Sequence, residues 1–524
     1  MKETTQTNLP TFPVELYGHS LKYEIECMLK IFLPATKFVF SYETASLLRS
    51  AEQGAFLQLK QGKQFTWFFC VLRYQGKYRR CAAKLPKCTP EENKQICEYQ
   101  FSRMLFTLLQ DITGIEVPWG LLTGIRPVRK AFSMMEESGE SLDAVMEQLR
   151  TVYLVSPEKI SLLRKTAEVQ LPLLRQTPKR SVGFYISIPF CPTRCSYCSF
   201  VSHSIAQAKH LMPEYIRLLC RELEIWGDII QKLQVTVDTI YFGGGTPTSI
   251  SAEALEQLLQ TVVRVFDLSK VREFCVEAGR PDTITREKLE VLKRYGVDRI
   301  SVNPQTMEDA VLQQIGRKHT SAQIAEAFQL AREVGFTNIN MDLIAGLPHD
   351  TPEGFHRTLE KVLALNPDSI TVHTLTLKRA ATLFSDRQAQ IGNPVREMVR
   401  DSIALLPEYG YQPYYMYRQK NTIDNQENVG YARAGKESYY NMLIMDESQS
   451  IFGAGCAAST KIVEPDCGRI TRIHNYKFPY EYIRQFDQLM EKKQQVLEIY
   501  QRMEAAEQND RLSSQVQYNQ RKNF

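Results

Sequence analysis

Cys191, Cys195 and Cys198 lie within one short run, Phe190-Cys191-Pro192-Thr193-Arg194-Cys195-Ser196-Tyr197-Cys198, at a C-x₃-C-x₂-C spacing. Thiolates so placed suit three corners of a cubane iron–sulfur cluster, which is ordinarily held by cysteine. Three ligands for four irons leave one iron open to bind and reduce a small molecule. Two plainer readings compete. The thiols and His203 could hold zinc, although the spacing differs from the paired C-x₂₋₄-C knuckles usual for that metal. They could also be unconnected cysteines acting as small hydrophobes.

Further chemistry-bearing residues follow. Tyr241-Phe242-Gly243-Gly244-Gly245-Thr246-Pro247-Thr248 closes an apolar run. Glycine lets backbone approach a ligand because no Cβ intervenes. The stretch lacks the Gly-Lys-Ser/Thr of a P-loop, so alone it reads equally well as a turn. Glu277 ends Phe274-Cys275-Val276-Glu277, Gln305 follows Val302-Asn303-Pro304, and Asp342 interrupts Ile339-Asn340-Met341-Asp342-Leu343-Ile344. A buried carboxylate or amide is costly unless it is paired or hydrogen-bonded. Each singly fits a structural hydrogen bond; all at one end of a sheet would face a polar ligand.

Elements able to position these residues begin at Ser181. Strands are expected at Gly183–Ile188, Thr239–Phe242, Glu273–Glu277, Arg299–Asn303, Asn338–Ile344 and Ser369–Thr374. Amphipathic runs such as Pro213–Gln231, Ala252–Phe266 and Ser321–Val334 separate them. Alternating strands and helices argue for parallel β/α units, in which functional residues gather at the carboxyl ends of strands. Domains are expected at 1–180, an α+β region; 181–380, the β/α part; 381–486, an irregular accessory region; and 487–524, a polar tail. In the first, Val14–Leu33 reads as a helix. Phe56–Lys60, Gln64–Tyr74 and Lys77–Leu85 read as hairpin strands, and Glu91–Leu109 and the stretches after Pro127 and Pro157 as helices. Gly120–Lys130 reads as a loop. In the tail, Glu491–Met503 reads as a helix and Asn509–Phe524 as disordered.

The chain has 524 residues, of which 43% are hydrophobic and 23% charged, as expected of a soluble protein with a large core. No long apolar span or signal-peptide pattern is present, so a cytoplasmic location is expected. Twelve cysteines over this length are too dilute for a disulfide framework. A net charge of +5 suits an anionic substrate but is too small to imply nucleic-acid binding.

The cysteine run, Gly243–Thr248, Ser301-Val302-Asn303-Pro304-Gln305 and Asp342–Pro348 together resemble the oxygen-independent coproporphyrinogen III oxidase family of radical S-adenosylmethionine enzymes, most closely its coproporphyrinogen dehydrogenase branch. Thr123–Arg129 and His474–Pro479 look like the same branch. The resemblance implies a partial (β/α)₆ barrel, a [4Fe–4S] cluster on Cys191, Cys195 and Cys198, and one or two S-adenosylmethionines per chain. It implies that Tyr185, Tyr197, Gly244 and Glu277 contact the cluster-bound molecule, and that Gly245, Thr246, Gln305, Arg317 and Asp342 hold a second. Reductive cleavage would give a deoxyadenosyl radical, which removes hydrogen from propionates of coproporphyrinogen III to leave the vinyls of protoporphyrinogen IX. A low-potential donor such as flavodoxin or ferredoxin is implied, and no acid–base side chain is required. The oxidase has a fourth cysteine two residues after the third; here that position is Phe200. The Ser199–His203 continuation looks more like the family's haem chaperones. Two alternatives therefore stand: a haem-delivery protein, with His203, Cys456 or His474 as axial ligands, and another radical reaction on a tetrapyrrole.

Overall fold

The computed structural model describes residues 10–34, 36–42, 52–87, 90–198, 203–376, 394–419, 422–464 and 469–506. They fall into two units, one drawn from Met1–Gly124 and Lys130–Arg164, the other from Ile125–Arg129 and Lys165–Phe524.

In the first unit, five strands, β1 (Thr11–Tyr17), β2 (Lys37–Tyr42), β3 (Gly54–Gln61), β4 (Phe65–Tyr74) and β5 (Lys77–Pro86), form a sheet in the order β2-β1-β3-β4-β5. Helices Lys22–Phe32 and Pro90–Thr113 share a core with it around Phe68, Phe101 and Leu105. The expected helix over Val14–Leu33 is corrected: its first part is strand β1, and the helix starts at Lys22. Phe12, Val14 and Leu16 share one buried face, at the period of a strand, Glu15 is buried as well, and Gly18 breaks the run at φ +74°. The three hairpin strands and the helices after Pro90, Pro127 and Pro157 form as expected. Residues 120–126 are loop, and Pro127 opens a helix.

The second unit is built on an 11-stranded sheet. After β6 (Ser181–Ile188) come the two-residue β7 (Phe190–Cys191) and β8 (His203–Ser204), paired apart from it. The sheet continues with β9 (Thr236–Gly244), β10 (Glu273–Gly279), β11 (Arg299–Val302), β12 (Ile339–Ala345) and β13 (Ser369–Thr374). Strands β6, β9, β10, β11, β12 and β13 lie side by side in chain order and all parallel. Helices such as Met212–Leu233, Ala252–Val265, Ser321–Val334 and Pro352–Leu365 connect them. Thr320 closes a capping box on Gln323, and Ser251 and Thr351 cap their helices through backbone N–H groups, satisfying donors a helix start leaves unpaired.

The region after Leu377, read as irregular, also belongs to this sheet where it is described. β15 (Glu427–Ala432) runs antiparallel to β13, with β14 (Gln412–Arg418) outside it. On the other edge β16 (Ser450–Ala454) lies parallel to β6, followed by antiparallel β17 (Ser459–Val463) and β18 (Ile470–His474). β15 and β16 are buried along their whole length. A strand covered on both faces shows no alternation, which is why pattern reading passed over them. Phe200 and Asn509–Phe524 lie outside the described residues.

Candidate functional site

Strand β6 delivers the cysteine loop. Thr193 Oγ1 donates to Gly316 O (3.1 Å), and Ser196 N donates to Ile315 O (3.1 Å), so the loop rests on the turn after helix Asp309–Gln314. Arg280, itself buried, donates to Thr193 O (3.1 Å) and Oγ1 (2.8 Å) and pairs with Asp282 at 3.1 Å. Burial would raise the Asp282 carboxyl, but His319 and Arg280 outweigh it and bring it down to about 2. Cys191, Cys195 and Cys198 are all half-buried, and none is in a disulfide. Among the described residues no three His, Cys, Asp or Glu side chains converge as ligands of a single ion would; a cubane takes its thiolates at separate corners.

Beside this loop runs the glycine turn at the end of β9. Gly245 N donates to Ile188 O and Thr246 N to Phe190 O, both at 2.8 Å. Thr246 Oγ1 lies 3.5 Å from Cys191 Sγ. The three glycines do different things. A Cβ on Gly244 (φ +104°) would sit 2.8 Å from Ser187 Oγ, and one on Gly245 only 2.6 Å from Phe190 O. Both are therefore needed for backbone packing. A Cβ on Gly243 would instead point among Tyr241, Tyr185 and Glu277, at 3.0–3.3 Å.

The polar strand ends share one face. Register sets Tyr185 beside Tyr241, Glu277 beside Ser301, Ser301 beside Asn340, and Asp342 beside Thr371. Glu277 accepts from Tyr241 Oη at 2.6 Å. Burial lifts its carboxyl to about 7, helped by the nearby Asp342 and opposed by the Tyr241 hydrogen bond and by His373. Asp342 moves the other way: burial raises it, but His373, Asn340 and Thr371 hold it below its ordinary value. Gln305 adopts φ +68°, uncommon for a residue with a side chain. Its N–H donates to Asp342 O and its carbonyl accepts from Ile344 N, each at 2.9 Å. Arg317 donates to Asn303 O (2.6 Å) and to Tyr197 Oη (3.3 Å), tying the loop's aromatic to the end of β11.

Arg317 Nε and Ser301 Oγ are buried without a hydrogen-bond partner among the described residues. Buried polar atoms are normally satisfied, so this interior has donors and acceptors left for a polar ligand. Two carboxylates with an unfilled guanidinium nitrogen fit a molecule carrying ammonium, sulfonium and carboxylate groups, as S-adenosylmethionine does. Three half-buried thiols on the adjoining loop fit the cluster.

Sequence reading missed several residues here. Tyr440, from helix Tyr439–Asp446, stacks on Tyr241 at 4.4 Å and on Tyr185 at 6.3 Å. His373 lies 3.8 Å from Asp342 and 3.4 Å from Tyr417 Oη. A histidine ending the apolar strand Ser369–Thr374 carried the same signal as Asp342; Tyr440 carried none. The suggested haem ligands stay apart in character. Cys456 is buried and donates to Lys477 O at 2.9 Å, with burial raising its thiol well above the ordinary range. His474 is exposed, and His203 packs edge-on to Phe478 at 5.9 Å.

Residues 185–362, which take in the cysteine loop and the strands through β12, match the Radical SAM superfamily. The oxygen-independent coproporphyrinogen-III oxidase-like protein HemZ of Bacillus subtilis is 42% identical over 419 residues, covering 79% of this chain and 83% of that protein. The heme chaperone HemW of the same organism is 34% identical over 304 residues, covering 56% of this chain and 77% of that protein. Among solved structures, the coproporphyrinogen III oxidase HemN of Escherichia coli is 24% identical with a TM-score of 0.48, over 61% of this chain and 72% of that one. With a HemZ likeness extending over most of its length, the chain belongs to the oxygen-independent coproporphyrinogen-III oxidase-like family of radical SAM proteins, which use a [4Fe–4S] cluster and S-adenosylmethionine.

Proposed function

We propose that this chain oxidatively decarboxylates two propionates of coproporphyrinogen III to vinyl groups, giving protoporphyrinogen IX. The observation that supports the reading is that Arg317 ties Tyr197 of the cysteine loop to Asn303 at the end of β11, and Thr246 lies 3.5 Å from Cys191, beside parallel strands that carry Glu277 and Asp342. The HemZ relative supplies the substrate class. When bound, the cluster and S-adenosylmethionine supply one-electron cleavage of a sulfonium and a carbon radical able to take hydrogen from the propionate β-carbon. The chain's own part is positional. Cys191, Cys195 and Cys198 hold the cluster. Gly243 leaves room beside Tyr185, Tyr241 and Glu277, Glu277 and Tyr185 border the cofactor, and Arg317, Gln305, Thr246 and Asp342 orient the second ligand. The closed aromatic group Tyr185, Tyr241 and Tyr440 keeps water from the reacting carbon. Each decarboxylation removes one hydrogen atom, carbon dioxide and one electron.

The HemW likeness favours a second reading, haem delivery on the same fold. Anaerobic incubation of reconstituted protein with coproporphyrinogen III, S-adenosylmethionine and a reductant separates the two. Vinyl product supports decarboxylation. Cofactor cleavage with stoichiometric haem binding and no vinyl product overturns it.

A further inference from the structure

Two thiols of the first unit, Cys70 on β4 and Cys81 on β5, stand directly opposite each other in the antiparallel register of those strands. We propose that they form a reversible dithiol–disulfide site, oxidised by exchange with a low-molecular-weight disulfide, whose bond pins the edge strand β5 to β4. The proposal is independent of the reaction proposed above for the second unit.

Position is the first argument. Gln75 and Gly76 join the two strands, and Tyr74 and Lys77 close the turn. The closing pair of a hairpin turn is hydrogen-bonded through the backbone, and pair types alternate outward along an antiparallel ladder. Cys70 and Cys81 lie an even number of pairs from the closing pair, so theirs is a hydrogen-bonded pair with Cα atoms about 5.5 Å apart. Disulfides span roughly 4.4–6.8 Å between Cα atoms, so the bond needs no shift of register. Both side chains belong to the core shared with helix Pro90–Thr113: Cys70 is fully buried in it, and Cys81 packs against it half-buried.

The two thiols differ in reach and in acidity. β5 is the last strand of its sheet, so Cys81 is approached from an unpaired edge, while Cys70 is enclosed. The hydrogen bond from the Cys70 thiol brings Cys81 below its ordinary value, against the effect of burial. That same bond, with burial, pushes Cys70 well above its own. Cys81 is thus the attacking thiolate and Cys70 the resolving thiol. The Cys81 thiolate attacks a disulfide RSSR, forming a mixed disulfide and releasing RS⁻. Cys70 then gives up its proton and attacks the Cys81 sulfur, forming the Cys70–Cys81 bond and releasing a second RS⁻. The protein loses two electrons and two thiol protons, and RSSR becomes two RSH. Among the described residues no third His, Cys, Asp or Glu side chain gathers with them as a metal ion would require. Two cysteines filling a core as small hydrophobes would resist exchange.

The test exposes the full chain anaerobically to glutathione disulfide, followed by acid quenching, alkylation in denaturant and tryptic peptide mapping. Cleavage after Arg73 and Arg80 separates Cys70 from Cys81, and Cys191, Cys195 and Cys198 fall in other peptides. In wild type the peptide ending at Arg73 should be joined to Cys81–Lys84, and dithiothreitol should restore both thiols. Cys70→Ala should stop at a glutathione adduct on Cys81, and Cys81→Ser should lower modification of Cys70 about tenfold or more. Amide exchange along Lys77–Pro86 should slow about tenfold on oxidation. Two thiols remaining in treated wild type, a link from Cys81 to any other cysteine, or undiminished modification of Cys70 in Cys81→Ser overturns the dithiol site. Unchanged amide exchange overturns the pinning of β5. The wild-type map decides the site even where a variant fails to fold.

Discussion

Asp342 and His373 face each other across the parallel strands β12 and β13, with Oδ1 and Nε2 3.8 Å apart. Asn340 Nδ2 donates to the same carboxylate oxygen at 2.7 Å. On its far side His373 meets Tyr417 at 3.4 Å. Three strands thus hold one carboxylate in a fixed direction.

Replacing Asp342 by Asn keeps the shape and removes the charge. Folding should be little affected, because Asn340 and the strand register remain. A charge-assisted hydrogen bond to a ligand is worth about 1.5–3 kcal/mol, so turnover on coproporphyrinogen III should fall by roughly 10- to 150-fold. His373→Gln should give a smaller loss, and the double variant less than the sum of the two, since the residues act through one contact. Anaerobic product assays on the four proteins measure this.

Glu277 makes a prediction in pH. Its carboxyl titrates at about 7 when folded against an ordinary 4.5, so the folded state binds the extra proton. Any stability from this group is present in acid and is lost as pH rises from about 4.5 to about 7. Glu277→Gln should therefore raise the melting temperature of the ligand-free protein relative to wild type at pH 8 and change it little at pH 4. A cationic ligand beside Glu277 favours the carboxylate. S-adenosylmethionine binding near pH 6.5 should then release a proton, seen by calorimetry in two buffers of different ionisation enthalpy.

The three glycines separate folding from ligand binding. Gly245→Ala drives a Cβ into the Phe190 carbonyl, and Gly244→Val adds a branched side chain at φ +104°. Both should lower thermal stability. Gly243→Ala places its methyl among Tyr185, Tyr241 and Glu277, so it should fold normally yet bind S-adenosylmethionine weakly. Melting curves and equilibrium binding on the three variants distinguish these outcomes.

Serine at Cys191, Cys195 or Cys198 should remove most of the roughly four irons per chain expected of a cysteine-bound cubane. Anaerobic reconstitution followed by iron analysis checks this. Stoichiometric zinc and no iron uptake in the wild type would restore the zinc reading.

A stability prediction concerns Glu222 and Lys493, which pair at 3.1 Å with neither side chain exposed. Lys493 also donates to Gly453 O and Asn475 Oδ1, both at 2.7 Å. Glu222 accepts from Tyr482 at 2.7 Å and from Gly455 N at 2.8 Å. Lys493→Met strands a buried carboxylate and should cost about 3–5 kcal/mol in denaturant unfolding. Adding Glu222→Gln should recover part of that loss.

Much of this protein was legible because the relevant signals are local. The C-x₃-C-x₂-C spacing lies within one short loop, and a turn against backbone shows itself as glycine. Six parallel strands betray themselves as short apolar runs between amphipathic helices. Glu277, Gln305 and Asp342 stood out because a polar residue in an apolar run has a desolvation cost that must be met somewhere. Where it is met was decided only by tertiary structure. Parallel register put Glu277 with Tyr241 and Asp342 with His373, and the packing of two loops put Arg317 between Asn303 and Tyr197, pairs as many as 120 residues apart in the chain. β15 and β16 were hidden because burial on both faces erases the alternation that marks a strand, and Val14–Tyr17 misled because a few apolar residues fit either period. Spacing along the chain carries contacts within a turn or a loop; contacts made by sheet register depend on which strands become neighbours, and that is a property of the folded chain.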